Sequence, residues 1–294
     1  LNVTFRIYEF QISLVKEIFS YSIWIFIFAI VGQFQWKAGQ VVLGTITNTT
    51  SVAIYAVGIM LGTYYGAFST AISGVFLPKA TKMAVEGASG KALTLMMVKI
   101  GRLSLLVLLM ILGGFILFGK QFIILWVGEN YIEAWFVALV IMVAYTIPLI
   151  QNFANLILEA KSKFSFKAII YISFISIGTL FGALLIKENG IKGMVIGTTS
   201  GWIVSIIIMN FYYSKVLKLE MTIFFKDVFA KIIPSFLVTM ILGYLINQIP
   251  GSGWLNLVIK IISFVSSYVL IIYFFGMDYS EKEIAKNIIS LKIK

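Results

Sequence analysis

Residues 103–118 read LSLLVLLMILGGFILF, with one serine and no charge. A half-buried strand would alternate polar and apolar side chains, and this run does not. A soluble helix would keep a polar face, and this run has none. The remaining solvent for such a segment is lipid.

The rest of the chain agrees. Hydrophobic residues make up 60% of the 294 and charged residues 12%, and the mean hydropathy is +1.00. Soluble domains lie nearer ~45–50% apolar and ~25% charged. Backbone groups in lipid must pair within their own segment or around a closed barrel. Long unbroken apolar runs, rather than ~10-residue alternating segments, favour helices. The expected fold class is all-α integral membrane with about eight transmembrane helices. Their approximate positions are 18–45, 52–77, 103–118, 134–158, 168–186, 193–213, 232–249 and 254–275, each near the ~20 residues needed to cross. A segment 1–17 precedes them and a tail 276–294 follows.

Charge placement orients this arrangement. Of the 23 Lys and Arg, eighteen fall on the side shared by both termini. Lys120, Lys187 and Lys192 fall on the other, and Lys37 and Lys260 lie inside spans. Basic residues mark cytoplasmic loops, so both termini are expected in the cytoplasm. The same placement explains the net charge of +11 through water and anionic lipid heads, and no nucleic-acid partner is called for. Trp126, Trp135 and Trp254 fall at the expected outer interface and Tyr212 and Tyr213 at the inner one. The tail from Asp278 reads as a short amphipathic helix on the inner surface or as a solvated terminus.

With no Cys and no His, disulfides, thiolate or imidazole metal ligands and the common nucleophile–base pairs are excluded. No catalytic residue, metal or cofactor is expected. None of the twelve acids lies in the middle of a span, so an ion-coupling carboxylate would have to lie outside this chain. The chain opens on Leu1 without a signal peptide, which is expected of the downstream part of a longer protein.

Four features point toward mechanism. In the first span Ser22, Ala29, Gln33, Lys37, Gln40 and Gly44 share one face at 100° per residue. A charge facing lipid there costs ~2.5–3.5 kcal/mol or more. Either the stripe lines water or substrate, or Lys37 snorkels toward the interface; snorkelling is the better reading for Lys260. In the second span Gly58, Gly62, Gly66, Thr70 and Gly74 recur at four-residue steps, a ladder that lets helix backbones approach. The sixth span repeats it with Gly193, Gly197, Gly201 and Ser205. Such ladders are structural contacts or sliding surfaces. In the fourth span Pro148 predicts a kink, followed by Gln151, Asn155 and Glu159 on one face. The two amides read as interhelical glue or as cavity lining.

Several stretches together resemble the C-terminal lobe of polysaccharide-repeat-unit flippases, the O-antigen type within the multidrug/oligosaccharidyl-lipid/polysaccharide exporter superfamily. They are VVLG at 41–44, VAIYAVG at 52–58, FLPKAT at 76–81, FGKQF at 118–122 with LWVG at 125–128 and Tyr131, NLILEA at 155–160, and GIKG at 190–193. The resemblance implies a six-helix transporter lobe at 18–213 and two additional transmembrane helices at 214–275, with a further six helices upstream. It implies a bacterial cytoplasmic membrane and a lipid-linked oligosaccharide carried on undecaprenyl diphosphate. Of the candidate cavity residues the resemblance carries over Lys37 alone, as the cation that meets the diphosphate; Gln33, Gln40, Gln151 and Asn155 join it from their polar spacing. Membrane lipids are partners, and the resemblance leaves room for other polysaccharide-assembly membrane proteins. The rival readings are a multidrug exporter of the same superfamily, a membrane glycosyl polymerase or acyltransferase, and a non-transporting scaffold.

Overall fold

The computed structural model describes residues 12–161, 163, 165–283 and 286. These residues form helices and turns without a strand. In chain order the helices are α1 (Ile12–Ile46), α2 (Thr49–Val75), α3 (Leu77–Val85), α4 (Gly90–Val127), α5 (Glu133–Ile150), α6 (Asn152–Ala160), α7 (Ser165–Val216), α8 (Met221–Phe229), α9 (Ile232–Asn247) and α10 (Gly253–Ile271). A 3₁₀ turn at Glu129–Tyr131 leads into α5, and a π-helical turn at Ile272–Gly276 ends α10.

Among the described residues six stretches are long and apolar enough to cross a membrane: 49–75, 90–127, 129–150, 165–216, 221–247 and 253–276. The protein is therefore an all-α, multi-pass membrane type. Its outer surface fits, because Leu180, Leu184, Ile241 and Leu255 are exposed, which lipid tolerates and water does not. Helix α1 has 35 residues, or ~52 Å at 1.5 Å each, against a hydrocarbon core of ~30 Å.

The elements differ from the sequence expectation where local chemistry intervenes. The run at 103–118 is the middle of a 38-residue helix, capped at its start by the Ser89 side chain accepting from the Ala92 N–H. A separate short helix, α3, follows the second span, with Pro78 in its first turn, where a missing N–H costs nothing. The expected span 134–158 is two helices broken at Gln151, three residues after Pro148. The expected fifth and sixth spans are the two arms of α7, 165–189 and 191–216, reversed at Gly190 with φ 53° and ψ −132°. Residues with a Cβ rarely adopt that conformation. Helix α1 starts at Ile12 and runs through the expected boundary at 17/18.

Helix α4 is the hub. It contacts α2, α5, α8, α9 and α10, while α1 lies against α7 and α9 pairs with α10. The glycine ladders sit in the closest contacts. A Cβ on Gly58, Gly62 or Gly66 would meet Val137, Ile141 or Tyr145 of α5, so two four-residue ladders interlock. Within α7, Gly193 lies on Leu185 near the reversal, Gly197 on Gly182 and Gly201 on Phe174 and Gly178, with backbone against backbone. A Cβ on Gly74 would meet nothing within 4 Å, so Gly74 lies outside the packed ladder. Lys260, expected to snorkel, is 6% exposed on α10.

Candidate functional site

Helix α1 is the shared wall of two recesses. One face carries Phe26, Ala29, Ile30, Gln33, Phe34, Lys37, Ala38, Val41 and Val42 along a groove of about 800 Å³, closed on its far side by Ser176, Thr179 and Leu180 of α7. Most of these side chains are apolar, and Lys37 is a cation midway along them. Lys37 and Gln33 are exposed. Among the described residues neither makes a hydrogen bond or ion pair with another residue. Ala29 joins them, as the 100° spacing requires, while Gln40 is half-buried and lies outside the groove lining. The expected stripe therefore splits: Ala29, Gln33 and Lys37 come together, and Gln40 does not. The Thr179 hydroxyl is buried without a hydrogen-bond partner in the groove wall.

The opposite face of α1 presents Gln35 and Trp36 to a polar cavity of about 170 Å³. Its other walls come from Thr70 of α2, from Tyr145, Pro148 and Leu149 of α5, and from Asn152 and Asn155 of α6. Lys167, Tyr171 and Trp202 of α7 complete it. Three rings bound it on one side: Trp36 stands edge-on to Tyr145 at 5.4 Å and to Trp202 at 5.8 Å, and Tyr145 lies 5.0 Å from Trp202. Beyond them a void of about 20 Å³ continues between Gln35, Tyr55, Thr198 and Thr199.

The break after Pro148 builds this cavity. Proline has no N–H to give Ala144 and clashes with its carbonyl, so α5 stops and α6 leaves in a new direction. That exposes amides which a continuous helix would pack away. Asn155 Oδ1 accepts from Lys167 Nζ at 2.9 Å and from the Tyr213 hydroxyl at 2.8 Å. Asn152 Nδ2 donates to Ser73 Oγ at 2.7 Å. Gln151 faces elsewhere: it is 2% exposed and donates to Asn210 Oδ1 at 2.7 Å. The structure thus makes Asn155 cavity lining and Gln151 an interhelical bond, because the break at Gln151 rotates the two amides apart.

Lys167 is the cation that the sequence concealed. It reads as one more loop lysine beside Lys161 and Lys163, yet it lies at the cavity with its ammonium 5.4 Å from the Tyr171 ring. No spacing reveals this, because its partner Asn155 lies across the α6–α7 turn.

A second hidden cluster lies in the N-terminal half of α4. Arg102 is 4% exposed, as is Glu281. Arg102 Nε and Nη2 donate to the two Glu281 carboxylate oxygens at 2.7 and 2.9 Å. Nη1 donates to the Asp227 carbonyl and Nη2 to the Gly276 carbonyl, both at 2.9 Å, and Asp278 Oδ2 lies 3.3 Å from Nη2. The start of the tail is therefore docked, with Glu281 buried, rather than solvated or flat on the membrane surface. Residues 284, 285 and 287–294 of the expected tail helix lie outside the described residues, as does the segment 1–11.

Residues 2–136 match the family model described as polysaccharide biosynthesis protein. The matched stretch carries α1 with Lys37, the α2 ladder and α4. No curated protein and no solved structure matches the chain.

Proposed function

We propose that the chain is the C-terminal part of a transporter that flips lipid-linked oligosaccharide repeat units, carried on undecaprenyl diphosphate, across the bacterial cytoplasmic membrane for surface polysaccharide assembly. The observation that carries this reading is the two-sided wall of α1. An amphiphile with a long apolar chain and a sugar–phosphate head needs an apolar groove for the chain, a cation for the diphosphate and a polar space beside them for the sugars. The groove of about 800 Å³ and the cavity of about 170 Å³ lie on opposite faces of one helix. The family match over 2–136 supports a role in polysaccharide biosynthesis.

In this reading Lys37 holds the diphosphate as a point charge, and Gln33 offers an amide to its oxygens. The chain crosses eight times: the six long apolar stretches, with α7 crossing twice about Gly190, and α1. Both termini lie in the cytoplasm, as the Lys and Arg asymmetry requires. The lobe 18–213 rocks against an upstream lobe by alternating access, and 214–275 forms two extra helices. The reading is of a carrier and not of an enzyme. A carrier of cationic drugs would be better served by an acidic cavity, and none of the residues lining either recess is Asp or Glu.

Translocation in proteoliposomes tests the proposal. The full-length protein should expose a prenyl-diphosphate-linked oligosaccharide to an outside glycosidase faster than protein-free vesicles do, and equal rates would overturn it. Reporter fusions at Glu86 and Lys218 should report cytoplasm and those at Asn130 and Ser252 the outside. An outside signal at Glu86 would break the topology.

A further inference from the structure

We propose that the groove between α4 and α10 binds one acyl chain of an anionic phospholipid, with the Lys120 ammonium at its mouth meeting the phosphate. The site lies apart from both recesses of α1 and does not depend on what those recesses carry.

Three observations carry it. First, the groove has the size of a chain. It holds about 250 Å³ between Met110 to Phe122 of α4 and Ile261 to Val265 of α10. One turn of helix, ~10–12 Å across and ~5.4 Å long, displaces ~400–600 Å³, so a helix of another protein does not enter it. From Met110 to Phe122 the groove runs ~18 Å at 1.5 Å per residue, close to the ~15 Å of one leaflet in a hydrocarbon core of ~30 Å. Second, its walls are apolar and held apart. Gly114 and Gly119 leave the floor open, and Phe115, Phe118, Phe122 and Phe264 stand around it. The Phe118 and Phe264 rings meet edge-on at 5.9 Å. The two helices are tied at both ends of the groove, by Gln121 Nε2 donating to Asn256 Oδ1 at 3.2 Å and by the Tyr268 hydroxyl donating to the Leu106 carbonyl at 2.6 Å. Bare rings would forgo dispersion contacts, and a hydrocarbon chain supplies them. Third, the mouth joins an interface to a cation. Phe122 stacks on Trp126 at 5.5 Å and stands edge-on to Trp254 at 6.3 Å. Both tryptophans are exposed, as at a membrane–water boundary. The Trp135 ring connects this end to Lys120. It packs on Gly119, where a Cβ would lie 2.7 Å from its Cδ1, and the Lys120 ammonium sits 4.6 Å from the ring centre.

Lys120 is exposed and among the described residues makes no hydrogen bond or ion pair, so its ammonium is open to a phosphate. A zwitterionic head carries its own cation beside the phosphate, and an unpaired lysine therefore favours an anionic one. A chain much longer than a leaflet would overrun the groove at Met110, which selects a phospholipid over a polyprenyl carrier.

The test is photolabelling of the full-length protein in nanodiscs by phosphatidylglycerol that carries a diazirine on its acyl chain. Label should concentrate in 110–122 and 261–265. Unlabelled phosphatidylglycerol should compete about fivefold better than phosphatidylcholine, the worth of one lysine near a lipid head group. A Cβ on Gly114 meets only Phe264, at ordinary contact distances of 3.7 and 3.8 Å, so Gly114→Leu should fold and fill the groove, cutting the label there severalfold. Lys120→Gln should keep the label and bring the two competitors within about twofold of each other. Lys187→Gln, at another exposed lysine, should leave the preference intact. Label spread evenly over all lipid-facing helices, or undiminished in a folded Gly114→Leu protein, overturns the site. Should Gly114→Leu not fold, Lys120→Gln keeps the test decisive: equal competition by the two lipids in wild type, or an unchanged preference in Lys120→Gln, overturns the proposal. So does a polyprenyl phosphate that competes better than phosphatidylglycerol, because the groove then belongs to the carrier lipid.

Discussion

Arg102 and Lys37 both lie on long apolar helices, and the fold treats them in opposite ways. Around Arg102 the protein supplies a bidentate carboxylate, two carbonyls and a second acid, and closes over them. Around Lys37 it supplies an open groove and no partner among the described residues. A buried guanidinium without acceptors would not be tolerated, so α4, α8, the end of α10 and the tail converge there to meet its need. An ammonium left open beside a groove is kept for something that is not part of the chain. The contrast separates a cation that holds the protein together from one that faces a ligand.

Breaking the closed cluster should have the largest effect. Arg102→Met leaves the Glu281 carboxylate buried and uncompensated, which costs about 3–5 kcal/mol. Unfolding in detergent, followed by helical signal, should show that loss. Arg102→Met with Glu281→Leu should recover much of it, because an apolar pair no longer carries a buried charge. A single variant as stable as wild type would mean that the tail undocks at no cost and that the cluster is not closed in solution.

The sequence displayed these regions unequally. Apolar runs mark most of the crossings, and the four-residue spacing of Gly58, Gly62 and Gly66 announces a close contact, since both are local. The partners Val137, Ile141 and Tyr145 are not local and carry no mark. Gly74 keeps the spacing and packs on nothing, because the ladder rotates off the α5 contact at its end. Arg102 carried one faint signal: apart from Arg6, every other basic residue is Lys, and planar, bidentate pairing suits Arg. Its acceptor Glu281 lies 179 residues away, and no periodicity spans that distance. The break at Gln151 was legible as a kink at Pro148, but not its consequence, which sends Asn155 to the cavity and Gln151 to Asn210.

The glycine contacts should rank next, in an order set by what each new methyl meets. Gly201→Ala places a Cβ against the Phe174 carbonyl and the Gly178 backbone, which cannot turn aside. The α7 arms must then part, at about 1–3 kcal/mol or more. Gly62→Ala meets the Ile141 side chain, with Cγ2 at 2.5 Å, which can shift in part, so the loss should be smaller; Gly62→Leu should prevent folding or transport. Gly74→Ala meets nothing and should be neutral. Thermal stability of the three alanine variants checks the order, and a destabilising Gly74→Ala with a tolerant Gly201→Ala would invert the assignment of closed and open faces.

The rim of the Arg102 cluster should respond to acid. The Lys231 hydrogen bond at 2.6 Å holds the Asp278 carboxyl below its ordinary value of 3.8, against partial burial and with help from the charges of Arg102, Lys231 and Lys282. A depressed value in the folded state means that the stabilisation is fully present above the unfolded value. It is lost as pH falls through the folded one. Because Lys231 and Asp278 are half exposed, the pair contributes only about 0–1 kcal/mol. Hydrogen exchange at 278–283 should therefore be unchanged near neutrality and rise modestly below pH 3.8. Asp278→Asn should show the faster exchange at neutral pH, and an Asn variant still sensitive in that range would overturn the assignment to Asp278.

Substitutions at Lys37 should change stability least and function most distinctly. The side chain is exposed, so Lys37→Ala should leave folding within about 0.5 kcal/mol of wild type. If the ammonium meets a diphosphate, charge matters more than shape. Lys37→Arg keeps a phosphate-pairing cation and should support most of the transport. Lys37→Glu repels the ligand and should lose nearly all of it, and Lys37→Ala should fall between. Complementation of surface polysaccharide, normalised to the amount of protein in the membrane, reads the series. If Lys37 only anchors α1 at an interface, removing a charge from the bilayer is neutral or favourable, and Ala should match wild type. A normally expressed Lys37→Ala protein with full activity would therefore erase the contrast with Arg102 and leave Lys37 as an interfacial anchor.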